Sequence, residues 1–385
     1  MILQILAVVA FHALPALTLV QGLPVPPGPG SALVIILFAL PIPLLIFGRD
    51  IAFLRDGAGY RAIYRISMIS FVLVLDLFLA SLLHLLIRLV VRIGGWGVPA
   101  RTTVLVVFAL AALHVLWGLV NARRLRVRTL HFPAEGFPER WTGRRILFFS
   151  DTHYGTLNGP GMAERLVRTV ESLKPDLIIC GGDLFDGPRG RYGSTLAVLA
   201  RLQAPLGILA VLGNHDYFYL TRPGSSRDLL RRQRNRETMP LDGGGRLASV
   251  KKALPWRFLE NESAAIDGVT FVGLRPFSRP DEAAARRVLD ELEPTEPTIL
   301  INHKPELYRE AAAAGVDLQL SGHTHGGPVF PVNIVMRILL DGRHWGTSHI
   351  DGMVMDTSSG SGISLWYPRT AGRHEVVLVE LGTES

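Results

Sequence analysis

Four long apolar runs occupy the first third of the chain, and they limit its folding more than any other feature. They lie at residues 1–20, 32–47, 67–91 and 103–120. A helix needs about 20 mostly apolar residues to cross a hydrocarbon core of ~30 Å. Residues 1–120 are therefore predicted to form an all-α transmembrane region of about four helices.

The first two runs differ from ordinary membrane spans. No Lys or Arg precedes the apolar part of the first run, so it lacks the basic region of a cleaved signal peptide and is expected to remain as a helix. The second run is short and contains Pro41 and Pro43. It could form a kinked or re-entrant helix, or it could pair with the first run as a helical hairpin.

Basic residues are concentrated beside the apolar runs, and their placement predicts the topology. Arginines follow the second and fourth runs at Arg49, Arg55, Arg61, Arg65, Arg123, Arg124, Arg126 and Arg128. With an even number of spans these two arginine-rich sides coincide, which places both termini and the soluble part in the cytoplasm. Contacts with membrane lipids thus explain the net charge of +7, and no nucleic-acid partner is expected.

Four ionisable residues, His12, Asp76, His84 and His114, lie within the apolar runs. Such groups are costly inside a membrane and can mark a functional site. These four share no spacing, however. Hydrogen bonding across a helical bundle is therefore the favoured interpretation, and no transport role is assigned.

The composition changes sharply after the fourth run. Residues 121–143 are predicted to be a linker, and residues 144–385, with a mixed composition, to form a second domain. At the start of this domain short apolar strands alternate with helix-like segments in the order βαβαβ. This order predicts a parallel sheet with its functional groups beyond the carboxyl ends of the strands.

Polar side chains follow five predicted strands, at the point where each strand ends. The clusters are Asp151 with His153, then Asp183, then Asn214-His215-Asp216, then His303, then His323 with His325. Each cluster alone has a structural explanation, such as a capped turn or a hydrogen-bonded histidine. Their order and shared position at strand ends favour a metal site, because a random domain would seldom place all five in succession.

This series of motifs resembles that of the calcineurin-like metallophosphoesterase superfamily, and the chain is most similar to bacterial membrane-associated members. The resemblance covers residues 144–381. It implies a four-layer α/β sandwich of two mixed sheets flanked by helices, with a dimetal site at the sheet edge. It also implies an integral protein of a bacterial inner or plasma membrane.

The resemblance further implies a set of ligands for two divalent metal ions. One ion is held by Asp151, His153 and His325, a second by Asn214, His303 and His323, and Asp183 bridges them. Carboxylate, amide and imidazole groups suit Mn, Fe or Zn, and the sequence does not choose among these metals.

The expected chemistry is hydrolysis at phosphorus. Two adjacent cations would lower the pKa of a bridging water, which would attack as hydroxide. His215 is the expected proton donor to the leaving oxygen, and Asp216 is expected to orient its imidazole ring. Purely structural support is the alternative role for these two residues.

The sequence indicates the substrate less directly. Residues 222–252 hold nine basic and three acidic residues, so this segment is either a solvated face or a contact for anionic lipids or substrate phosphates. The Ser-His-Ile-Asp-Gly-Met segment at 348–353 and the Ser/Gly loop at 357–362 depart from the pattern of membrane-associated relatives. A relative's substrate therefore does not transfer automatically.

The favoured function is that of a membrane-anchored phosphoesterase that hydrolyses a phosphoester or pyrophosphate bond, with a lipid or lipid-precursor headgroup as the phosphorylated substrate. Hydrolysis of UDP-diacylglucosamine in lipid A synthesis, an activity found among resembling proteins, is a specific alternative. A non-catalytic membrane scaffold on the same fold is another, although all seven ligand positions and the expected acid are present. Nothing in the sequence selects an oligomeric state.

Overall fold

The chain divides into two compact units. The computed structural model describes residues 2–23, 28–39, 57–186, 192–221, 245–276, 279–364 and 367–382. The first unit consists of residues 1–122 with 365–370, and the second of residues 123–364 with 371–385.

The first unit is helical, as its apolar composition predicts. Its helices are α1 (Ile2–Gly22), α2 (Pro29–Ala39), α3 (Ala58–Ile93) and α4 (Ala100–Asn121). Helices α3 and α4 are long and apolar enough to cross a membrane. Large aliphatic side chains on them, such as Leu86 and Leu113, are more than half exposed, as expected of side chains that face lipid.

These helices match the predicted apolar runs in position but not everywhere in length. Helix α3 begins nine residues before the predicted span at 67. Its 36 residues extend for about 54 Å, well beyond a bilayer core of ~30 Å. Residues 40–47 of the second predicted span lie outside the described residues. Among the described helices two qualify as spans by length and composition, so the count of four stays a prediction.

Polar side chains within the first unit are paired across helices, in agreement with the hydrogen-bonding interpretation. His114 Nδ1 lies 2.9 Å from Asp76 Oδ2, which joins α4 to α3. His84 Nδ1 lies 2.9 Å from Thr103 Oγ1, which joins the same two helices. The side chain of His12 contacts the carbonyl oxygen of Phe38.

The second unit contains two six-stranded sheets and a two-stranded one. Their strands are β1 (Leu125–Pro133), β2 (Arg145–Phe149), β3 (Tyr154–Gly155), β4 (Leu177–Cys180), β5 (Phe185–Asp186), β6 (Ile208–Ala210), β7 (Arg257–Phe258), β8 (Glu262–Ile266), β9 (Val269–Leu274), β10 (Thr298–Asn302), β11 (Leu318–Ser321), β12 (Gly346–Ile350), β13 (Met353–Thr357) and β14 (His374–Gly382). The strand orders are β1-β14-β2-β4-β6-β7, β12-β13-β11-β10-β9-β8 and β3-β5. Both large sheets are mixed. In the first sheet β14 pairs antiparallel with β2, and in the second β8 pairs antiparallel with β9 and β12 pairs antiparallel with β13.

Helices cover the outer faces of the two large sheets. The helices of this unit are α5 (Pro160–Leu173), α6 (Tyr192–Leu199), α7 (Asn214–Thr221), α8 (Gly245–Ala253), α9 (Arg279–Asp290), α10 (Tyr308–Ala313) and α11 (Val332–Leu339). One apolar core, which includes Phe148, Phe271 and Ile301, lies between the sheets. A second core packs α5 on the first sheet, and a third packs α9 and α10 on the second sheet. The predicted four-layer fold is confirmed.

The interval predicted to be a linker contains a nine-residue strand. Strand β1 pairs in parallel with β14 along its whole length. Its inward positions alternate, with Leu130 and Phe132 buried and Arg128 partly buried. This alternation is hard to see in the sequence, because arginines occupy two inward positions where a strand normally places apolar residues.

Candidate metal centre

The sheet topology brings the predicted clusters to one edge of the sandwich. Strands β2, β4 and β6 are parallel neighbours, so Asp151, Asp183 and Asn214 follow adjacent carboxyl ends. Strands β10 and β11 are parallel neighbours in the second sheet and are followed by His303 and His323. Hydrogen bonds join the loops, including one from Gly322 N to His303 O of 2.9 Å.

The first predicted ligand group is assembled. Asp151, His153 and His325 offer ligand atoms that all lie within 4.8 Å of one another. His325 Nε2 lies 3.7 Å from Asp151 Oδ1 and 3.1 Å from His153 Nε2. All three residues are buried, so few water molecules compete for these atoms.

Two histidines of the second predicted group, His303 and His323, lie close to Asp183, and the ligand atoms of these three residues are also within 4.8 Å of one another. His303 Nδ1 lies 2.8 Å from the carbonyl oxygen of Gly181 and therefore donates its proton there. In the neutral ring, the form that can bind a metal ion, this hydrogen bond fixes the tautomer of His303 and leaves the lone pair on Nε2, the nitrogen that faces Asp183.

Asp183 lies between the two groups. Its Oδ2 atom is 3.2 Å from His303 Nε2 and 3.8 Å from His153 Nε2. Its Oδ1 atom accepts a hydrogen bond of 2.8 Å from the backbone N–H of His215. One carboxylate thus faces a histidine of each group, as the bridging role requires.

The side chain of Asn214 indicates that this cluster fits metal ions. The residue is buried, and its side-chain Oδ1 has no hydrogen-bond partner within the described part of the chain. A buried amide oxygen without a partner is unfavourable unless something else accepts its lone pairs. Asn214 stands between Gly213 and His215, beside Asp183, where a divalent cation would satisfy it. The donor set of imidazole, carboxylate and amide therefore fits first-row divalent metals.

The backbone of the centre is strained. Eleven described non-glycine residues have φ in the left-handed region, and five of them are predicted ligands: Asp151 (53°), His153 (45°), Asp183 (52°), His323 (71°) and His325 (53°). Such conformations are unfavourable and persist only where the surroundings enforce them, which is typical of functional sites. In the sequence this strain is signalled only by the glycines that flank the predicted ligands.

Two of those glycines make room for the ligands. Gly182 has φ of 91°, and a Cβ there would lie 2.5 Å from the backbone nitrogen of Gly213. A Cβ at Gly322 would collide with the carboxylate of Asp151. Glycine is therefore required at both positions, for a positive φ at the first and a close approach at the second.

The charges of the cluster are strongly coupled. Burial raises the pKa of Asp151 to about 6, with His303 opposing the shift and Asp183 adding to it. Burial also disfavours the charged form of Asp183, but His303 and His215 hold the pKa of Asp183 well below its ordinary value. Burial would lower the pKa of His303, yet the carboxylate of Asp183 raises it to about 9. Asp183 is therefore the anionic centre of the site.

For Asp216 the structure favours the alternative role, structural support. Asp216 is fully buried, and its carboxylate accepts backbone hydrogen bonds from Gly213, Leu184 and Phe185 at 2.9, 3.1 and 2.9 Å. These hydrogen bonds hold the loops after β4 and β6 together. His215 and Asp216 are consecutive in the first turn of α7, where side chains at i and i+1 point in different directions.

The carboxylate beside His215 belongs to Asp186, which the sequence analysis missed. Asp186 Oδ1 lies 3.4 Å from His215 Nδ1, and these two residues form a third cluster with His153. Asp186 ends β5, three residues after Asp183. The sequence does contain a signal for Asp186, because this second acidic residue follows Asp183 by three positions.

The Ser/Gly loop at 357–362 supports the first ligand group. Gly362 N donates to Asp151 O at 2.9 Å, and Ser361 N donates to Ser150 O at 3.0 Å. The loop is held in turn by Glu375, whose Oε1 accepts a hydrogen bond of 3.1 Å from Ser359 N. The departure from relatives noted in this loop thus lies directly behind Asp151, a predicted metal ligand.

Two further histidines and the basic segment complete the comparison with the sequence. His344 is buried, and its carbonyl oxygen accepts a hydrogen bond of 2.5 Å from Thr324 Oγ1, between the ligands His323 and His325. His349 is exposed and away from the clusters of possible ligands. Residues 222–244 of the basic segment lie outside the described residues.

Two mixed sheets flanked by helices, with His, Asp and Asn side chains gathered at the strand ends, define the class of metallophosphoesterases. The family model of the calcineurin-like phosphoesterase matches residues 144–327. This range contains all seven predicted ligands.

Comparison with known proteins agrees. An uncharacterized metallophosphoesterase of Aquifex aeolicus is 33% identical over 218 residues, which cover 56% of this chain and 76% of that protein. A transmembrane protein with metallophosphoesterase domain from Danio rerio is 29% identical over 253 residues, 61% of this chain and 52% of that protein. The UDP-2,3-diacylglucosamine pyrophosphatase LpxG of Chlamydia trachomatis is 28% identical over 263 residues, 60% and 78% of the two chains.

The chain therefore belongs to the calcineurin-like metallophosphoesterase family. It spans about half the length of the Danio rerio relative and three quarters of the two bacterial ones. The predicted resemblance to this family is confirmed.

Proposed function

We propose that this chain is a membrane-anchored, metal-dependent hydrolase of a phosphoester or pyrophosphate bond. The position of Asp183 Oδ2, 3.2 Å from His303 Nε2 and 3.8 Å from His153 Nε2, carries this proposal. One carboxylate oxygen between two histidine groups suits a ligand shared by two divalent ions. Membership of the metallophosphoesterase family supports the same chemistry.

The proposed ligands form two sets that share Asp183. Asp151, His153 and His325 would hold one ion, while Asn214, His303 and His323 would hold the other, with Asp183 shared. Bound ions would supply positive charge for the phosphoryl oxygens and lower the pKa of the attacking water. Mn, Fe and Zn are all compatible with these ligands.

His215 is the proposed proton donor to the leaving oxygen. Its side chain is 16% exposed, whereas that of His153 is fully buried, so His215 is the more accessible ring of the pair. The rings are close, with centroids 4.7 Å apart. Asp186 on the Nδ1 side would orient the ring as a positioning residue, so that Nε2 can donate to a substrate.

Two substitutions with matched controls test this mechanism. Asp183→Asn should lower the bound metal content and abolish most activity, since the shared ligand loses its charge. Asp351→Asn is its control, because Asp351 is exposed and has a similar φ of 46°. His215→Ala should keep the metal but lower kcat by about 10² to 10⁴, whereas His349→Ala should change neither. Unchanged hydrolysis in both site variants would remove the mechanism and favour a non-catalytic scaffold.

The proposed anchor is the first unit, with the second unit in the cytoplasm. Two long apolar helices, the arginines at 123 and 124 after α4, and relatives named as transmembrane proteins support it. A fluorescent protein that matures only in the cytoplasm, fused after residue 385, should fluoresce. A dark fusion that is expressed at the same level would reverse the orientation.

A lipid or lipid-precursor headgroup is the proposed substrate class, since an anchored enzyme meets such molecules at the bilayer. UDP-2,3-diacylglucosamine is a specific second candidate, because two relatives are named pyrophosphatases of that compound. Purified full-length protein in detergent, supplied in turn with Mn, Fe and Zn, should be screened against it and against aryl phosphodiesters. Turnover of the aryl esters without hydrolysis of the lipid precursor would exclude the second candidate and leave the general activity standing.

A further inference from the structure

Exposed apolar side chains of the second unit are concentrated in one place. Among its described residues six large apolar side chains are exposed, and all but Val127 belong to α11 or immediately precede it. These five are Phe330, Ile334, Val335, Ile338 and Leu339, with exposed fractions of 39, 46, 50, 73 and 75%. Clustered exposure of this kind marks an interaction surface more often than scattered single residues do.

Helix α11 is amphipathic but buries none of its residues. Ile334, Val335, Ile338 and Leu339 follow the spacing i, i+1, i+4, i+5 and so form one stripe. The sequence of α11 has no acidic residue, and Arg337 lies in its last turn. By contrast α5, which is also amphipathic, buries Ala163, Leu166, Val167 and Val170 against the first sheet. The stripe on α11 therefore has no comparable partner among the described residues.

Helix α11 is attached to the loop that delivers a metal ligand. Six residues, 326–331, join His325 to its first residue. Gly327 N donates to Thr324 O at 3.2 Å, and Asn333 N donates to Val329 O at 3.1 Å, so this connection is a series of tight turns. A side chain at Gly327 would collide with Asn333. The position of α11 is thus fixed relative to the metal centre.

We propose that α11 docks its apolar stripe into the interfacial region of the lipid bilayer, and thereby holds the metal-bearing edge of the sheets at the headgroups. The four residues of the stripe are all aliphatic, which suits acyl chains. The cationic Arg337 beside it complements anionic headgroups. The proposal rests on the membrane anchor proposed above, because a tethered bilayer is the apolar phase present at high effective concentration.

A fluorescence experiment on the full-length chain tests the docking separately from catalysis. Ile338→Cys is labelled with the environment-sensitive fluorophore NBD, while the single native cysteine, Cys180, is buried and should not react. The protein is reconstituted into vesicles of phosphatidylcholine and phosphatidylglycerol with a nitroxide on a shallow acyl carbon. If the stripe inserts to a depth of about 5 to 10 Å, the NBD group at position 338 should lose about half or more of its emission to this quencher.

Two controls make the result decisive. Thr295→Cys labels an exposed loop before the amino end of β10, the opposite end of that strand from His303, and should lose little emission. Adding Ile334→Asp and Leu339→Asp to the labelled Ile338→Cys protein should reduce its quenching to the level seen for labelled Thr295→Cys. Equal quenching at both positions would overturn the proposal. So would blue-shifted emission at 338 without nitroxide quenching, because a protein segment or a second copy would then cover the stripe. Neither readout depends on hydrolysis, so an inactive enzyme would not affect the result.

Discussion

Arg128 provides the sharpest test of how the second unit is held together. Its Nη1 and Nη2 atoms each lie 2.8 Å from an oxygen of Asp356, and its Nη2 lies 3.2 Å from Glu375 Oε1. The side chains of Asp356 and Glu375 are 0 and 1% exposed, and that of Arg128 is 22% exposed. Burial alone would lower the pKa of Arg128, but the two carboxylates raise it, so the guanidinium stays charged.

Arg128→Met keeps most of the apolar stem and removes the charge, which leaves two buried carboxylates without their cation. Breaking a buried ion pair costs about 3–5 kcal/mol. The lower end, about 3 kcal/mol, is expected because Arg128 is partly exposed and water can enter. For a unit of this size that free energy corresponds to a fall in Tm of about 6–12 °C.

Activity should fall as well. Glu375 Oε1 also accepts hydrogen bonds from Ser359 N at 3.1 Å and Trp345 Nε1 at 3.0 Å. The loop that starts at Ser359 holds the backbone of Asp151. A shift of Glu375 would therefore reach the first ligand group.

Thermal unfolding of the full-length protein in detergent, followed by circular dichroism, measures the effect. Arg168→Met is the surface control, because Arg168 is 63% exposed and its ion pair with Glu164 is long, at 4.0 Å. This substitution should change stability by less than about 0.5 kcal/mol. Adding Asp356→Asn to Arg128→Met should recover part of the loss, since it removes one uncompensated charge. A Tm of Arg128→Met equal to that of the control would refute the reasoning, as would a double variant less stable than the single one.

Three further outcomes are expected. Gly360→Ala should destabilise the protein by more than the ~1–2 kcal/mol that a left-handed backbone costs an alanine, because Gly360 has φ of 74° and an added Cβ would also lie 2.6 Å from Cβ of Asp151. The same collision should weaken metal binding; thermal unfolding and metal titration measure the two effects. Chelation by EDTA should lower the Tm seen by calorimetry, because ions that bind only the folded chain stabilise it. Glu260→Gln should reduce stability at neutral pH. Burial opposes ionisation of Glu260, but hydrogen bonds from Lys251 and Tyr217 lower its pKa, so its contribution is present above the ordinary glutamate pKa and disappears as pH falls through the lowered value. The Tm difference from the unsubstituted protein should therefore shrink in acid.

Each of these outcomes has a control. Gly342→Ala has a similar φ of 83° but open space around its added Cβ, so it should lose only the conformational part and leave metal affinity unchanged. Equal metal affinity in the two alanine variants would contradict a contact of Gly360 with the ligand. EDTA should have little effect on the Tm of Asp183→Asn. A Glu260→Gln difference that is constant with pH would show that the carboxylate charge contributes nothing.

The sequence predicted which side chains come together because residue type and strand boundaries are local properties. Asp151, Asp183 and His303 each follow a short apolar run, and parallel strands bring their carboxyl ends together. The local rule failed where neighbours in the chain are not neighbours in space. Asp216 follows His215 in the sequence, yet Asp186 lies beside the ring, because consecutive residues of α7 face different directions.

By itself the sequence determined the apolar helical part and the strands that precede the polar clusters, because periodicity and composition are written along the chain, while the four-layer fold followed from the resemblance of its motifs to a known family. Only the tertiary structure decided the partners of charged residues. Arg128 looked like a membrane-flanking arginine, but β1 places it against Asp356 and Glu375, more than two hundred residues away. Burial turns such distant charges into obligatory pairs, and burial is a property of the folded chain, not of any segment in it.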